Sequence, residues 1–324
     1  KPTGFEKEAA PGGMLVNGIP NFRVDKATVN SEIDVLREMG VEFRCGVEVG
    51  KDVTIAQLRE EGYKAFYVAV GLQTASKLGI EGEDLKGVTG GLDLLRAVNR
   101  GELTELKGDT IVIGGGNAAI DVARTAVRLG EGSVSIYCLE KDEEMPTVPD
   151  EKNAGIADGV VINNCWGPKR IIGKNGKVTG VEFMRCTSVR DASGKFAPKY
   201  DENDTVTVKC SNVLVAIGQR SDYGSVLAGT KAETPDGRLI DCDKLTFQTA
   251  EPDIFVGGDC ATGPMYTIDA IATGREGAVS IHRYVNVGQS LTIHRNRRIF
   301  KELDKGSVAL PPESFKKPAR NEPA

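Results

Sequence analysis

Histidine is almost missing from this sequence, with His282 and His294 as the two copies in 324 residues. Imidazole-based metal centres and nucleophile–base–acid triads therefore have almost no material. Cysteines stand at positions 45, 138, 165, 186, 210, 242 and 260, and no two of them form a CxxC pair. The count is odd and the spacing suits neither zinc nor an iron–sulfur cluster, so reduced thiols in a cytoplasmic protein are the simplest reading. No apolar run approaches the ~20 residues of a membrane span, and the first residues carry no secretory signal. A formal charge of −5 offers no basic face to nucleic acid. The one locally basic stretch, "RNRRIFK" at Arg295–Lys301, reads as a solvated tail.

Glycine, in contrast, is abundant, and its placement is informative. The stretch Thr110–Leu129 reads "TIVIGGGNAAIDVARTAVRL", followed by "GSVSIYCLE" at Gly132–Glu140. The β-branched run Thr110–Ile113 predicts a buried parallel strand. Ala118–Leu129 has a helical pattern, Gly130 is placed to stop it as a C′ glycine, and Val134–Cys138 predicts a second strand. In such a βαβ unit the glycines let backbone approach a pyrophosphate, whose charge meets the helix N-terminus. Gly114, Gly116 and Ala119 take the three fingerprint positions, and the acid Glu140 ends the second strand where ribose recognition requires one. A carboxylate there accepts hydrogen bonds from both ribose hydroxyls and repels a 2′-phosphate, which favours NAD(H); Lys141 beside it keeps NADP(H) open.

An enzyme that moves a hydride needs a second redox group, and three further stretches suggest one. "EPDIFVGGDCATGPMYTIDAIATGREG" at Glu251–Gly277 predicts a strand at Ile254–Val256, a tight turn at Gly257-Gly258-Asp259 and a helix opening at Thr267–Ala272. Asp259 could accept from a ribityl hydroxyl, and the helix N-terminus could face the electron-rich edge of a flavin. "YVAVG" at Tyr67–Gly71 and "LVAIG" at Leu214–Gly218 each end an apolar strand in glycine, as crossovers between nucleotide-binding units do. In "FEKEAAPGGMLVNGIPNFR" at Phe5–Arg23, Glu6 ends a short strand, Gly12 and Gly13 permit close backbone approach, and Arg23 is a candidate phosphate clamp. Elsewhere, helices are expected at Asn30–Met39 and Gly91–Val98. A strand is expected at Val41–Arg44, and an antiparallel meander from Val160–Asn163, Lys169–Ile172, Val178–Arg185 and Thr205–Val208, with "KNGK" and "DASGK" as turns. Pro311–Ala324 reads as disordered.

Taken in this order, the motifs resemble the small (β) subunit family of glutamate synthase and the related flavin-and-nicotinamide portion of dihydropyrimidine dehydrogenase, from Glu6 to about Val285. The resemblance implies an α/β fold of two Rossmann-like, glutathione-reductase-like domains binding FAD and NAD(P). It puts FAD contacts at Glu6, Gly12, Gly13, Met14, Arg23, Val49, Gly258, Asp259 and Thr267. Nicotinamide-nucleotide contacts fall at Gly114, Gly115, Gly116, Asn117, Ala118, Glu140, Ala216 and Gly218. Residues 1–85 and 241–290 are expected to form the FAD domain, 86–240 an inserted NAD(P) domain, and 291–324 a tail.

The sequence departs from the family in two places. Leu139 and Glu140 stand where basic residues are usual, and no FAD GxGxxG precedes Glu6. The chain therefore reads as a fragment with the first βα unit of its FAD domain missing, a natural split with that unit on another subunit being the alternative. The expected activity is oxidation of NAD(P)H through FAD with electrons passed to an iron–sulfur partner, glutamate synthase large-subunit-like, with no catalytic side chain and no metal ligand. This fragment itself is expected to be inactive. A nucleotide-binding interaction subunit without flavin turnover is the second reading.

Overall fold

The computed structural model describes residues 1–295. The chain opens with β1 (Thr3–Glu6), a short helix α1 (Gly13–Asn17), α2 (Lys26–Glu38), β2 (Glu42–Cys45), α3 (Ile55–Glu60), β3 (Phe66–Val68) and β4 (Thr74–Ala75). It continues through β5 (Val88–Gly90), α4 (Gly91–Asn99), β6 (Thr110–Ile113), α5 (Asn117–Leu129), β7 (Val134–Tyr137), α6 (Pro149–Ala157) and β8 (Val161–Asn163). Three long strands follow, β9 (Trp166–Lys174), β10 (Lys177–Arg190) and β11 (Phe196–Lys209), then β12 (Asn212–Val215) and β13 (Gln219–Arg220). The described part closes with β14 (Ile254–Val256), α7 (Asp259–Thr262) and α8 (Thr267–Val285).

The middle of the chain is a parallel five-stranded sheet in the order β5-β12-β6-β7-β8. All of β6 is buried, as the apolar run "TIVI" requires of a central strand covered on both faces. Alternation sorts its side chains by layer. Val112, Ile136 and Leu214 face the helices with Ala119, Ile120, Ala123 and Leu95. Ile111, Ile113, Val213 and Val215 face the meander with Val178, Val181 and Phe183. Tyr137 stacks on Phe183 across that second layer, with ring centroids 4.2 Å apart. The result is helix, sheet and antiparallel β11-β10-β9 meander in three layers.

The two hairpin turns fall where expected. Asn175 and Gly176 take positive φ (52° and 73°) between β9 and β10, as an Asn-Gly turn demands. The meander has three strands, however, because the Val160–Asn163 segment belongs to the parallel sheet, where Val161–Asn163 pairs with β7. Helix α2 starts earlier than the expected Asn30 because Asp25 caps it, its carboxylate accepting from the Ala27 amide at 3.1 Å.

The outer segments form parallel pairs, β1 with β2 and β3 with β14, and no further strand joins the pairs among the described residues. Ile254, Val256, Val68, Ile55 and Cys260 make the core around the β3-β14 pair, joined by Tyr223, Leu227 and Ile240 from the returning chain.

Two smaller expectations change. Gly130 is extended (φ −162°) rather than left-handed. It is glycine because a Cβ there would lie 1.9 Å from the Leu106 carbonyl oxygen. Arg295, assigned to a solvated tail, has a side chain only 4% exposed and pairs with Glu276 at 2.8 Å, also donating to the Leu245 carbonyl. Positions 296–301, and the expected disorder of 311–324, lie outside the described residues.

Gly130→Ala should destabilise the fold by about 2 kcal/mol or more, since the clash is with backbone rather than a mobile side chain. Urea unfolding would read the change, and an unaltered midpoint would contradict the close approach.

Candidate functional site

The glycine loop leaves β6 and enters α5 with little room to spare. Gly114 has φ +140°, and a Cβ on it would sit 2.2 Å from the Ala216 carbonyl oxygen. A Cβ on Gly115 would lie 2.8 Å from the Glu140 carboxylate. These contacts gather the β6, β7 and β12 ends into one place: Gly114, Gly115, Gly116, Asn117, Ala118, Glu140 and Ala216 are neighbours. Gly218 (φ +114°) lies two residues beyond Ala216, where its carbonyl accepts from the Ser76 amide at 3.0 Å. The amides of Gly115, Gly116, Asn117 and Ala118 find no acceptor among the described residues. Four free donors at the positive end of a 13-residue helix make an anion cradle.

Glu140 is held by its backbone. Its carbonyl accepts from the Cys165 amide and from Asn164 Nδ2, both at 3.1 Å, leaving the carboxylate over the loop. Cys138, beneath it, is 2% exposed and burial pushes its thiol up to about 12, so it is packing rather than a nucleophile.

The residues assigned to a flavin fall in two groups. Glu6 ends β1, accepting the Glu8 amide at 2.9 Å. Gly12 (φ +126°) and Gly13 (φ +50°) form the sharp entry into α1, where a Cβ on Gly12 would strike Val16. Met14 follows in that helix, and Val49 sits in the turn bridged to Val53. At the other end, Gly258 (φ +68°) donates its amide to Thr273 Oγ1 at 2.8 Å. Asp259 opens α7, its carboxyl pushed up by burial, and Thr267 opens α8. Tyr67 in β3 fills the space between Gly257 and Gly277, where either Cβ would overlap its ring or hydroxyl. Burial pushes that hydroxyl up to about 12.

Arg23, expected near the flavin phosphates, pairs here with two carboxylates. Its Nη1 donates to both carboxylate oxygens of Asp121 at 2.9 Å, and its Nη2 to Glu151 at 2.7 Å. Asp121 lies in the second turn of α5, so the pair fastens the N-terminal segment to the helix that carries the glycine loop. Phe22 completes the grip, lying under the guanidiniums of Arg124 and Arg128 at 4.6 and 4.3 Å. Both arginines are in turn held by Asp158 at 2.6 and 2.7 Å. Asn99 adds a third tie, donating to the Asn17 and Ile19 carbonyls. Burial raises the Asp121 carboxyl to about 6, against the lowering effect of Arg23.

Sequence reading passed over Asp121, Glu151, Thr147 and Tyr67. The available signal for Asp121 was an acid inside the buried face Ile120–Ala123 of α5, since such a carboxylate must have a partner.

The pattern of one protein family, described as pyridine nucleotide-disulphide oxidoreductase, matches residues 21–274. Over 89% of its length the chain is 34% identical to the NADP(+)-dependent formate dehydrogenase subunit beta of Moorella thermoacetica, of which it covers 41%. It is 32% identical to the glutamate synthase [NADPH] small chain of Halomonas elongata, over 89% of this chain and 63% of that one. The chain thus spans about half the length of these relatives. Among solved structures, FprA from Mycobacterium tuberculosis in complex with NADPH superposes with a TM-score of 0.71 at 19% identity, covering 87% of this chain and 77% of that one. Thioredoxin reductase of T. acidophilum gives 0.63 at 17%, covering 87% and 88%. At these identities the structures speak to the fold, which is α/β and shared with them.

The Arg23–Asp121 pair makes a pH-dependent prediction. Replacing Arg23 by Met leaves a buried carboxylate unpaired, which should cost about 2 kcal/mol at pH 8. Asp121 titrates near 6 in the native state, above its unfolded value, so its charged form is the disfavoured one in the fold. The deficit of the variant is therefore full at high pH and should shrink as pH falls through 6 and the carboxyl becomes neutral. Chemical denaturation at pH 8 and pH 5 measures it; an equal deficit at both would contradict the pairing.

Proposed function

Because the chain belongs to the pyridine nucleotide-disulphide oxidoreductase family, we propose that it is an electron-input module, oxidising NAD(P)H through FAD on behalf of a larger oxidoreductase. The observation that carries this reading is the loop Gly114–Gly116, crowded at Gly114 and Gly115, which leads into four amides without an acceptor beside a carboxylate. A dinucleotide pyrophosphate suits those donors, and the ribose diol suits Glu140. The relatives' names, an NADPH-linked small chain and an NADP(+)-dependent beta subunit, support the class of reaction.

Glu140 points to NAD(H) as the partner of this chain in particular. Its carboxylate overhangs Gly115, so a 2′-phosphate would bring negative charge to negative charge. The Glu6 carboxylate, the Gly12-Gly13 turn and the Gly258-Asp259 turn suit the ribose, phosphates and ribityl chain of FAD. One glycine loop of the pyrophosphate type occurs among the described residues, however, and the β1-β2 and β3-β14 pairs are not bridged. We therefore expect this chain on its own to hold FAD weakly and to turn over poorly. Residues 1–85 and 241–290 are assigned to the flavin half and 86–240 to the nicotinamide half, with Tyr223–Ile240 packing on the flavin side.

Bound face to face, nicotinamide and flavin supply hydride transfer without a side-chain acid or base. The chain's part is to aim them and to keep the halves in register, which Arg23 and Phe22 do from one side of α5. The sequence holds no CxxC pair, and Cys260 beside Asp259 is fully buried with its thiol pushed up by that burial. Electrons are thus expected to leave for an iron–sulfur domain or subunit, large-subunit-like as in glutamate synthase. Among the described residues, no helix is long and apolar enough to cross a membrane.

Purified protein should quench or shift NADH fluorescence on titration while eluting from gel filtration without stoichiometric flavin. Absence of NADH binding would remove the central assignment, and tightly retained FAD would overturn the expected weakness of the flavin half. Glu140→Arg should move relative affinity from NADH towards NADPH by roughly tenfold or more, from charge reversal beside the 2′ position. An unchanged affinity ratio would show that Glu140 does not read the ribose.

A further inference from the structure

Asn117 was expected to touch the nucleotide, yet its carboxamide oxygen is already occupied. Oδ1 accepts from Thr147 Oγ1 and from the Val148 amide, both at 2.8 Å. A backbone N–H can only donate, so the acceptor must be the oxygen and the orientation of the carboxamide is fixed. Thr147 and Met145 are 8% and 9% exposed, which seats this end of the loop in the protein. The other end begins at Glu140, held through its carbonyl by Asn164 and Cys165. The segment Lys141–Val148 is thus tied down on both sides of the cradle, once beside the carboxylate and once at the first residue of α5.

The stretch between the ties carries Asp142, Glu143 and Glu144 in a single exposed turn. Left free, three carboxylates could swing towards the anion-binding end of α5 and compete with a pyrophosphate for its amides. Lys152 steadies the turn through Asp142 at 2.5 Å, but that pair is exposed on the Asp142 side and screened by solvent. The tie at Asn117 is sheltered on its Thr147 side.

We propose that Asn117 is a positioning residue that sets nucleotide affinity through Thr147, by pinning the acidic Lys141–Val148 loop away from the phosphate cradle. This rests on the reading of Gly114–Gly116 as a dinucleotide site. Thr147, which has no assigned role, then becomes a determinant of affinity without being a ligand. A direct-contact role for Asn117 makes the opposite demand, since Thr147 would then be dispensable.

The test compares Asn117→Ala, Thr147→Val and Thr147→Ser by NADH fluorescence titration of the full chain, with circular dichroism to confirm folding. Asn117→Ala and Thr147→Val should each weaken NADH by about five- to tenfold, and Thr147→Ser should stay within about twofold of the unsubstituted protein. Amide exchange without nucleotide gives a second readout: both damaging variants should lose protection at Val148. Normal affinity in Thr147→Val beside a weakened Asn117→Ala would overturn the proposal, as would undiminished Val148 protection in both. Failure of the unsubstituted chain to bind NADH is a distinct result, and it strikes the dinucleotide reading itself.

Discussion

At Gly114 and Gly115 the backbone leaving β6 passes so near its neighbours that a Cβ would crowd them, and the rest of the arrangement follows from that crowding. Gly114 is pressed against the Ala216 carbonyl and Gly115 against the Glu140 carboxylate. Three strand ends are thereby drawn to one point, and the first turn of α5 is presented with unpaired amides. The end of α5 is partly open, Gly116 and Asn117 half-buried and Ala118 exposed, so water or an anion can reach these donors. The same close approach that makes the fold tight makes the cradle.

A second constraint operates across the molecule. The N-terminal segment reaches α5 through Arg23, whose Nη1 donates to both carboxylate oxygens of Asp121, and Phe22 is clasped by two arginines of the same helix. This contact is polar and ionic rather than a broad apolar seam. Such interfaces hold orientation well, because their geometry is directional. They also leave the two halves able to separate, as inter-domain contacts of modest size generally do. Under the proposed role of aiming one ring at another, orientation would matter more than burial.

Much of the parallel-sheet half was legible in the sequence because its signals are local. A β-branched run, three glycines, an alanine-rich helix and an acid at the end of the next strand fall within Thr110–Glu140, and each dictates the backbone of its own neighbourhood. Val160–Asn163 was misplaced because a short apolar strand reads alike in a parallel sheet and in a meander; which it joins depends on β7, not on its own residues. Gly130 showed a helix end correctly but for another reason, since the clash it avoids comes from Leu106, far along the chain. The ion pairs of Arg23 and Arg295 and the hydrogen bond of Thr147 were not legible. Their partners Asp121, Asn117 and Glu276 are supplied by tertiary contact, and a charged or hydroxyl residue in a loop looks solvated until that contact is known.

The account stands or falls on where a dinucleotide lies. A crystal structure of this chain soaked with NADH tests it most directly. The account predicts a pyrophosphate against the amides of Gly115 to Ala118 with the adenosine ribose on Glu140. A dinucleotide bound at any other surface, or a cradle filled only by ordered water at saturating NADH, would contradict it.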